Sequence, residues 1–186
     1  MNWRAGLCLT LLLMCGVPTV QAGVTLPATG TVEVLFTPWD DAEGALVRAI
    51  NGAKQTIHVQ AFLLTSRQIG RALAGAQRRH VKVRILADRD QAVNGKSEVL
   101  QDLHELGVPI WLEGRYANAH NKVMLIDAES QHPVVVTGSY NFTFSAQARN
   151  AENLLLLRGN MELAQAYLKN WQRHQADALA YAEVFR

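Results

Sequence analysis

The stretch "HNKVMLID", from His120 to Asp127, sets two polar side chains at the start of an otherwise apolar run. Side chains alternate between the two faces of a β-strand, so His120 and Lys122 share one face and lie about 6–7 Å apart along it. Asp127 falls on the opposite face, where we expect it to bind backbone or loop groups. The stretch therefore predicts a buried strand whose first residues carry a polar pair.

The segments on either side predict alternating strands and helices. Residues 89–96 predict a loop, with a turn at Asn94-Gly95. Strands that alternate with helices indicate parallel pairs early in the chain, and the short links after residue 120 indicate antiparallel pairs near its end. We therefore expect an α/β fold with a mixed, largely parallel central sheet sandwiched by helices. The predicted strands are 30–38, 56–64, 81–88, 108–113, 120–127, 133–142 and 151–159, and the predicted helices are 41–53, 67–80, 97–107 and 160–181.

The N-terminal segment differs in composition from the rest of the 186-residue chain. In residues 1–22 the only charged side chain is Arg4, and an apolar run covers residues 5–17. This pattern is typical of a secretory signal peptide with cleavage after Ala22, and the alternative is an uncleaved anchor. The run is short for a membrane span. We expect an exported protein, periplasmic or secreted, whose residues 23–186 form a single catalytic domain.

Cysteine content and charge restrict the chemistry of the mature chain. Both cysteines, Cys8 and Cys15, lie in the predicted signal peptide, so we expect no disulfide, thiolate nucleophile or cysteine metal site after cleavage. Removal of Arg4 lowers the formal net charge from +2 to +1. A nearly neutral protein attracts polyanions weakly over long distances. Binding of nucleic acid would therefore depend on a local basic cluster.

Two segments downstream of the polar pair carry residues suited to anion chemistry. In "TGSYNF", Ser139 and Asn141 share a strand face, and a hydroxyl and an amide can both donate to the oxygens of one anion. In "NAENLLLL", Glu152 opens a strand, and its carboxylate can accept a hydrogen bond from an imidazole and orient it. Each of these features alone has an ordinary interpretation as a turn or a solvated strand end. Only their combination, in this order, points to a site.

The five side chains together suit a phosphoryl group. They provide a nucleophile, a cation, two neutral donors and an orienting carboxylate. The set lacks the acidic cluster of a magnesium site and the paired histidines of a zinc site. We therefore expect no metal and no cofactor.

The residues from His120 to Asp127 fit the His-x-Lys-x4-Asp motif of the phospholipase D superfamily. The segment "GSYNF", which begins at Gly138, and the following "NAEN" resemble the downstream half of that motif. The chain is similar to the small exported bacterial nucleases of the superfamily, which carry one motif copy. The resemblance covers roughly residues 32–157. The segment between Asp127 and Gly138 is a few residues longer than usual, and we expect the extra residues to form an exposed turn.

This resemblance implies a metal-independent phosphodiesterase with a phospholipase D-like fold. His120 would attack phosphorus and form a phosphohistidine, and a second histidine would protonate the leaving oxygen. Lys122, Ser139 and Asn141 would bind the phosphate oxygens, and Glu152 would orient His120.

The resemblance also implies that Asp127 and Gly138 are supporting, structural residues. The chemistry needs two histidines, but the chain has one motif copy and no internal repeat. We therefore expect a homodimer with the active site at the two-fold interface and His120 from both subunits.

Other polar and aromatic residues receive weaker assignments. Arg115, Tyr116 and Arg149 lie close to the motif in sequence and are candidate substrate contacts. His58 is expected to be a hydrogen-bonded core residue. We expect four large aromatic residues in the core, namely Trp39, Trp111, Trp171 and Tyr167.

Three hypotheses for function remain. The first is a non-specific endonuclease that hydrolyses DNA or RNA. The second is a phospholipase D or cardiolipin-type phospholipid hydrolase, although the sequence shows no apolar insertion for a bilayer, and no stable membrane insertion of the mature chain is expected. The third is a catalytically inactive nucleic-acid-binding protein, which the intact set of five side chains disfavours.

Overall fold

The computed structural model describes residues 23–95 and 97–185. The predicted signal peptide lies outside the described residues. The strands are β1 Thr31–Thr37, β2 Thr56–Ala61, β3 Lys82–Asp88, β4 Ile110–Glu113, β5 Lys122–Ile126, β6 Val134–Gly138, β7 Glu152–Arg158 and β8 Leu179–Ala180. The helices are α1 Ala42–Gly52, α2 Arg67–Arg78, α3 Arg89–Gly95, α4 Glu98–Glu105, α5 Phe144–Ala148, α6 Met161–Ala176 and α7 Tyr181–Val184.

One mixed sheet contains the strands of the described residues, in the order β1-β7-β6-β5-β2-β3-β4-β8. The predicted α/β sheet sandwich is confirmed, and so are the parallel pairs early in the chain, β2 with β3 and β3 with β4. The sheet is not largely parallel, however, because the other pairs are antiparallel. The link of seven residues between β5 and β6 is too short for a crossover, and the chain also returns antiparallel after the longer link that contains α5.

Apolar side chains cover both faces of the sheet. Leu46 of α1 and Leu73 of α2 belong to the larger buried cluster, together with Met124 and Leu156 of the sheet. Helix α6 covers the other face, where Trp171 packs in a second cluster. Its indole Nε1 donates a hydrogen bond of 2.9 Å to the carbonyl oxygen of Val59. The strands that carry the motif therefore lie in the middle of a helix–sheet–helix sandwich.

Side-chain caps fix the starts of at least five helices in the described part of the chain, including α1, α2 and α4. Asp41 accepts a hydrogen bond from the Gly44 backbone N–H at 2.8 Å and begins α1. Ser66 and Ser97 cap α2 and α4 in the same way. A side-chain oxygen at this position satisfies a backbone donor that has no partner within the helix. The predicted starts of α2 and α4 are therefore confirmed.

Several predicted segments differ from the structure. The strand predicted over 133–142 ends at Gly138, so Ser139 and Asn141 lie in the loop after β6 and not on one strand face. Residues 89–95 form α3 rather than a loop, because the Asp88 carboxylate accepts from the Gln91 N–H at 2.9 Å and stabilises the first turn. The final helix ends at Ala176 instead of near residue 181, since Leu179 and Ala180 pair with β4 and complete that edge of the sheet. Among the described residues, no helix is long and apolar enough to cross a bilayer.

The aromatic residues assigned to the core are placed differently from one another. Trp171 is buried, and Trp111 and Tyr167 are partly buried against the α6 cluster. The prediction for Trp39 is wrong, because 83% of the residue is exposed. Trp39 lies in the turn between β1 and α1, outside both elements, and β1 is an outer strand of the sheet.

His58 is a buried histidine that is neutral in the folded protein. Only 3% of the residue is exposed, and its Nε2 lies 3.2 Å from Nη1 of Arg84. Its ring also packs edge-on against Trp171 at a centroid distance of 4.8 Å. Burial, and then the positive charge of Arg84, lower the pKa of His58 from 6.5 to about 4. Because a guanidinium is always a donor, Nε2 must accept this hydrogen bond.

The stability of the fold should therefore depend on pH through His58. The unfolded chain binds a proton at this residue below pH 6.5, whereas the folded chain binds it only near pH 4. Neutral His58 contributes fully to the free energy of unfolding above pH 6.5, and this contribution is lost as the pH falls. The free energy of unfolding should therefore decrease by about 2 kcal/mol between pH 7.5 and 5 because of this residue. Urea unfolding at the two pH values should show a smaller difference for His58→Gln than for wild type. Equal differences would contradict this account.

Candidate active site

The ends of three neighbouring strands meet along one side of the sheet, which we call the strand-end edge and which is distinct from the outer strands β1 and β8. Lys122 is the first residue of β5, Gly138 the last of β6 and Glu152 the first of β7. Because neighbouring antiparallel strands run in opposite directions, these ends lie side by side. His120 precedes β5 at the same edge. The two halves of the motif, which are separate in sequence, are thereby brought together.

Lys122 is buried at this edge, with only 6% of the residue exposed. Its Nζ donates a hydrogen bond of 2.8 Å to the carbonyl oxygen of His120 and lies 4.8 Å from the ring centroid of Phe62. Burial lowers the pKa of Lys122 below its usual value, and the negative charge of Glu152 opposes this effect. The ammonium group is thus fixed in position and faces a carboxylate.

His120 is exposed, in contrast to Lys122. Its imidazole packs against Phe62, with ring centroids 4.4 Å apart and an interplanar angle of 54°. No group among residues 23–95 and 97–185 forms a hydrogen bond with the imidazole nitrogens. One aromatic contact therefore positions the ring, and both nitrogens remain available to a substrate.

Glu152 is bound to residues of its own chain. Its carboxylate accepts hydrogen bonds from Ser139 Oγ at 2.6 Å and from Asn150 Nδ2 at 3.0 Å. The backbone N–H and Nδ2 of Asn153 donate to the same serine oxygen, at 3.0 and 3.3 Å. Ser139 is therefore held by three groups, and Glu152 orients Ser139 rather than His120 within one chain.

Asn150 and Asn153 were not identified as site residues from sequence. Both belong to the segment "NAEN" around Glu152, so the motif pattern contained the signal. Asn150 binds Glu152 in its own segment, whereas Asn153 binds Ser139 in the loop after β6, a contact that alternation along one strand does not reveal.

Gly138 and Asn141 shape the rest of this loop. Gly138 has φ +147°, and a Cβ at this position would clash with the carbonyl oxygen of Asn153. The turn allows the backbone N–H groups of Ser139 and Tyr140 to donate to that oxygen, at 3.1 and 3.2 Å. Asn141 is partly buried, and its Oδ1 is a buried acceptor without a hydrogen-bond partner.

Asp127 lies at the opposite end of β5 from His120. Its carboxylate accepts hydrogen bonds from the backbone N–H groups of Lys54, Gln55 and Thr56, at 2.9, 2.7 and 2.9 Å. These three bonds tie the end of β5 to the start of β2. The structure therefore places Asp127 away from the phosphate-binding groups and within a backbone clamp.

The three candidate substrate contacts are separated in space. Arg115 forms an ion pair with Asp177, which follows α6. Tyr116 packs near His174 of α6, with ring centroids 5.3 Å apart. The guanidinium of Arg149 lies 5.7 Å from the ring centroid of Phe144, beside the segment that carries Glu152. None of the three forms a hydrogen bond or ion pair with the other predicted site residues within the described part of the chain.

The strand-end edge can bind a tetrahedral anion. It offers an ammonium group, a hydroxyl, an amide and an exposed imidazole around one carboxylate. Cationic and neutral donors of this kind stabilise the negative charge that develops at a transferring phosphoryl group. In residues 23–95 and 97–185, no cluster of three or more His, Cys, Asp or Glu side chains has the geometry of a metal site.

Comparison with known proteins gives one family. The family described as "Cardiolipin synthase, PLD-like domain" matches residues 46–175. A phospholipase D of Rickettsia prowazekii is 39% identical over 140 residues, which are 75% of this chain and 65% of the relative. The mitochondrial cardiolipin hydrolase of Mus musculus is 30% identical over 129 residues, which are 69% of this chain and 55% of the relative.

Among solved structures, the phospholipase D family member Nuc of Salmonella typhimurium superposes with a TM-score of 0.73 and 28% identity. The match covers 81% of this chain and 97% of Nuc. The chain thus corresponds to nearly all of Nuc, whereas it spans about two thirds or less of the two named lipid-hydrolase relatives.

Proposed function

The chain belongs to the phospholipase D superfamily of phosphodiester hydrolases, and we propose that this member is a metal-independent nuclease that cuts DNA or RNA through a phosphohistidine. One observation carries the proposal. The buried ammonium of Lys122 lies beside an exposed His120, at the strand-end edge that also presents Ser139 and Glu152.

The chemistry divides into two steps. A nitrogen lone pair of His120 attacks phosphorus, a P–N bond forms, and the bond to the leaving oxygen breaks. The leaving oxygen takes a proton from a second imidazole, and that imidazole then takes a proton from the water that hydrolyses the P–N bond. Lys122 and Asn141 stabilise the charge on the phosphate oxygens, and Ser139 joins them when its hydroxyl proton turns from Glu152 to the phosphate.

We also propose that the second imidazole is His120 of another copy of the chain, in a homodimer with the site at its two-fold axis. Each chain contributes one copy of the motif, and a two-fold axis brings identical residues face to face. We also propose that the protein is exported after cleavage near Ala22. This part of the proposal rests on sequence alone, because residues 1–22 lie outside the described residues.

The preference for nucleic acid over phospholipid as substrate rests on how much of each relative the chain matches. Nuc matches over nearly its whole length, whereas the relatives named phospholipase D and cardiolipin hydrolase contain further sequence. The second candidate is a phospholipid hydrolase, and the exposed Trp39 favours it, because an exposed tryptophan suits a membrane interface.

The test compares substrates in excess EDTA. Purified protein expressed from the full chain is expected to nick supercoiled plasmid or cut single-stranded oligonucleotides without added metal. Parallel reactions contain RNA and vesicles of phosphatidylcholine and cardiolipin. Hydrolysis of the vesicles alone would replace the nuclease with the lipid hydrolase. Activity that requires a divalent cation would contradict the phosphohistidine mechanism.

A further inference from the structure

Phe62 contacts both reactive groups of the candidate site. Its ring lies 4.4 Å from the imidazole of His120 and 4.8 Å from Nζ of Lys122, as centroid distances. Phe62 directly follows β2 and is partly buried. It lies far from the motif in sequence, and neither the phosphate-binding set nor the proposed proton transfers include it.

The backbone fixes Phe62 between the two halves of the motif. Its N–H donates a hydrogen bond of 2.8 Å to the carbonyl oxygen of Asn121, which lies between His120 and Lys122. The next residue, Leu63, accepts from the N–H of Phe142 at 3.1 Å. The segment that carries the aromatic ring is therefore held on one side by the start of β5 and on the other by the loop that contains Ser139 and Asn141.

We propose that Phe62 is a positioning residue that holds the His120 imidazole in line for attack and fixes the Lys122 ammonium on the phosphate side. The proposal rests on the proposed function, because it concerns that reaction. Phe62 touches no reacting atom and acts through its two neighbours.

The ring limits the orientation of an otherwise exposed nucleophile. His120 has no hydrogen-bond partner on its imidazole among residues 23–95 and 97–185, so contact with Phe62 is the restraint that the described structure provides. Attack on phosphorus needs near-linear alignment with the leaving oxygen, and loss of alignment by about 1 Å can cost about 100-fold in rate. Contact with the fixed Phe62 ring aligns the His120 imidazole before the substrate binds.

The ring has two opposing effects on Lys122. It excludes water from Nζ, which favours the neutral amine, and its π face attracts the ammonium, which favours the charged form. Burial lowers the pKa of Lys122 overall. Substitutions that remove both effects, or only the π face, should therefore shift the ionisation of Lys122 in opposite directions.

Three substitutions separate these effects. Phe62→Ala is expected to lower kcat by about 10- to 100-fold with a small change in KM. It should also raise the pKa of Lys122, because water then reaches the ammonium group. Phe62→Leu keeps water out but lacks the π face, so the pKa of Lys122 should fall in that variant. Phe62→Tyr keeps the ring and should retain most of the wild-type kcat.

The matched control is Phe185→Ala. Phe185 is another partly exposed phenylalanine, and its ring packs on Tyr181 at 4.5 Å, in the C-terminal segment. Its removal should leave kcat and the pH profile unchanged. A Phe62→Ala enzyme with wild-type kcat and an unshifted pKa of Lys122 would overturn the positioning role while leaving the nuclease proposal intact.

A measurement without substrate keeps the two proposals separable. In NMR spectra of the full chain, the His120 ring protons should show a ring-current shift that Phe62→Ala removes, and the Lys122 ammonium should titrate at higher pH in that variant. Unchanged His120 shifts would overturn the role of Phe62 even in an active enzyme. If the wild-type protein hydrolyses no phosphodiester in the substrate panel, the proposed function fails and the positioning role in this reaction fails with it.

Discussion

Replacement of His120 with alanine is expected to lower phosphodiesterase kcat by about 10⁴-fold or more, because the variant lacks the nucleophile that forms the covalent intermediate. The loss should occur without unfolding. His120 is exposed and precedes β5, so its truncation removes little buried contact, and the cost in stability should stay below about 1 kcal/mol. Initial rates on bis(p-nitrophenyl) phosphate in EDTA and thermal unfolding by circular dichroism measure the two quantities.

The control for this variant is His132→Ala. His132 is also an exposed histidine, but it lies in the turn between β5 and β6, at the other end of β5. Its removal should leave kcat unchanged. Reactions quenched in alkaline detergent, in which the P–N bond survives, should contain a phosphohistidine in the wild type and in His132→Ala, and none in His120→Ala. Wild-type rates in His120→Ala would exclude this residue as the nucleophile.

The polar pair and the strand that carries it follow from local pattern. Alternation along "HNKVMLID" correctly places Lys122 at the start of a buried strand, because the face of each side chain depends only on its position in that strand. The structure adds that His120 lies just before β5 rather than inside it. Serine caps before α2 and α4 are also local signals, and both are confirmed.

The errors in the predicted fold have two origins. The bond from the Gln91 N–H to Asp88 is a local signal for α3 that the prediction of a loop overlooked, whereas the strand pairings depend on distant residues. Asp88 caps α3 and also accepts from the Ala119 N–H at 2.8 Å, so one buried carboxylate organises both a helix and the loop before His120. The predicted loop at 89–96 could not reveal this second partner. The antiparallel pair between β1 and β7 joins strands from the two ends of the described chain, and no short segment encodes it.

Within the site, sequence identifies the residue types and structure assigns their partners. Glu152 was predicted to orient His120, whereas in one chain it accepts from Ser139 and Asn150. Phe62 is missed because it follows β2, and β2 becomes the neighbour of β5 only on folding. The residue types of the site can therefore be predicted from a motif, but the contacts that position them cannot.

Mixed dimers that contain one His120→Ala subunit are expected to be inactive on nucleic acid. In the proposed two-fold site each phosphate needs one imidazole to attack and one to protonate the leaving oxygen, so a single missing imidazole stops the reaction. When wild-type protein is refolded with a nine-fold excess of the variant, random pairing leaves about one hundredth of all dimers fully wild type. Independent monomeric sites would retain about one tenth of the activity of an equal total amount of wild type.

The two outcomes differ by about tenfold, and the same refolding with excess His132→Ala should preserve full activity.

The leaving group separates the roles of the two His120 imidazoles further. An activated ester with a p-nitrophenolate leaving group needs little protonation, so mixed dimers should release one burst of product as the remaining His120 is phosphorylated. The intermediate should then persist, because no second imidazole activates water. A burst without turnover on this ester, and no cleavage of DNA, would assign attack to one subunit and acid–base catalysis to the other.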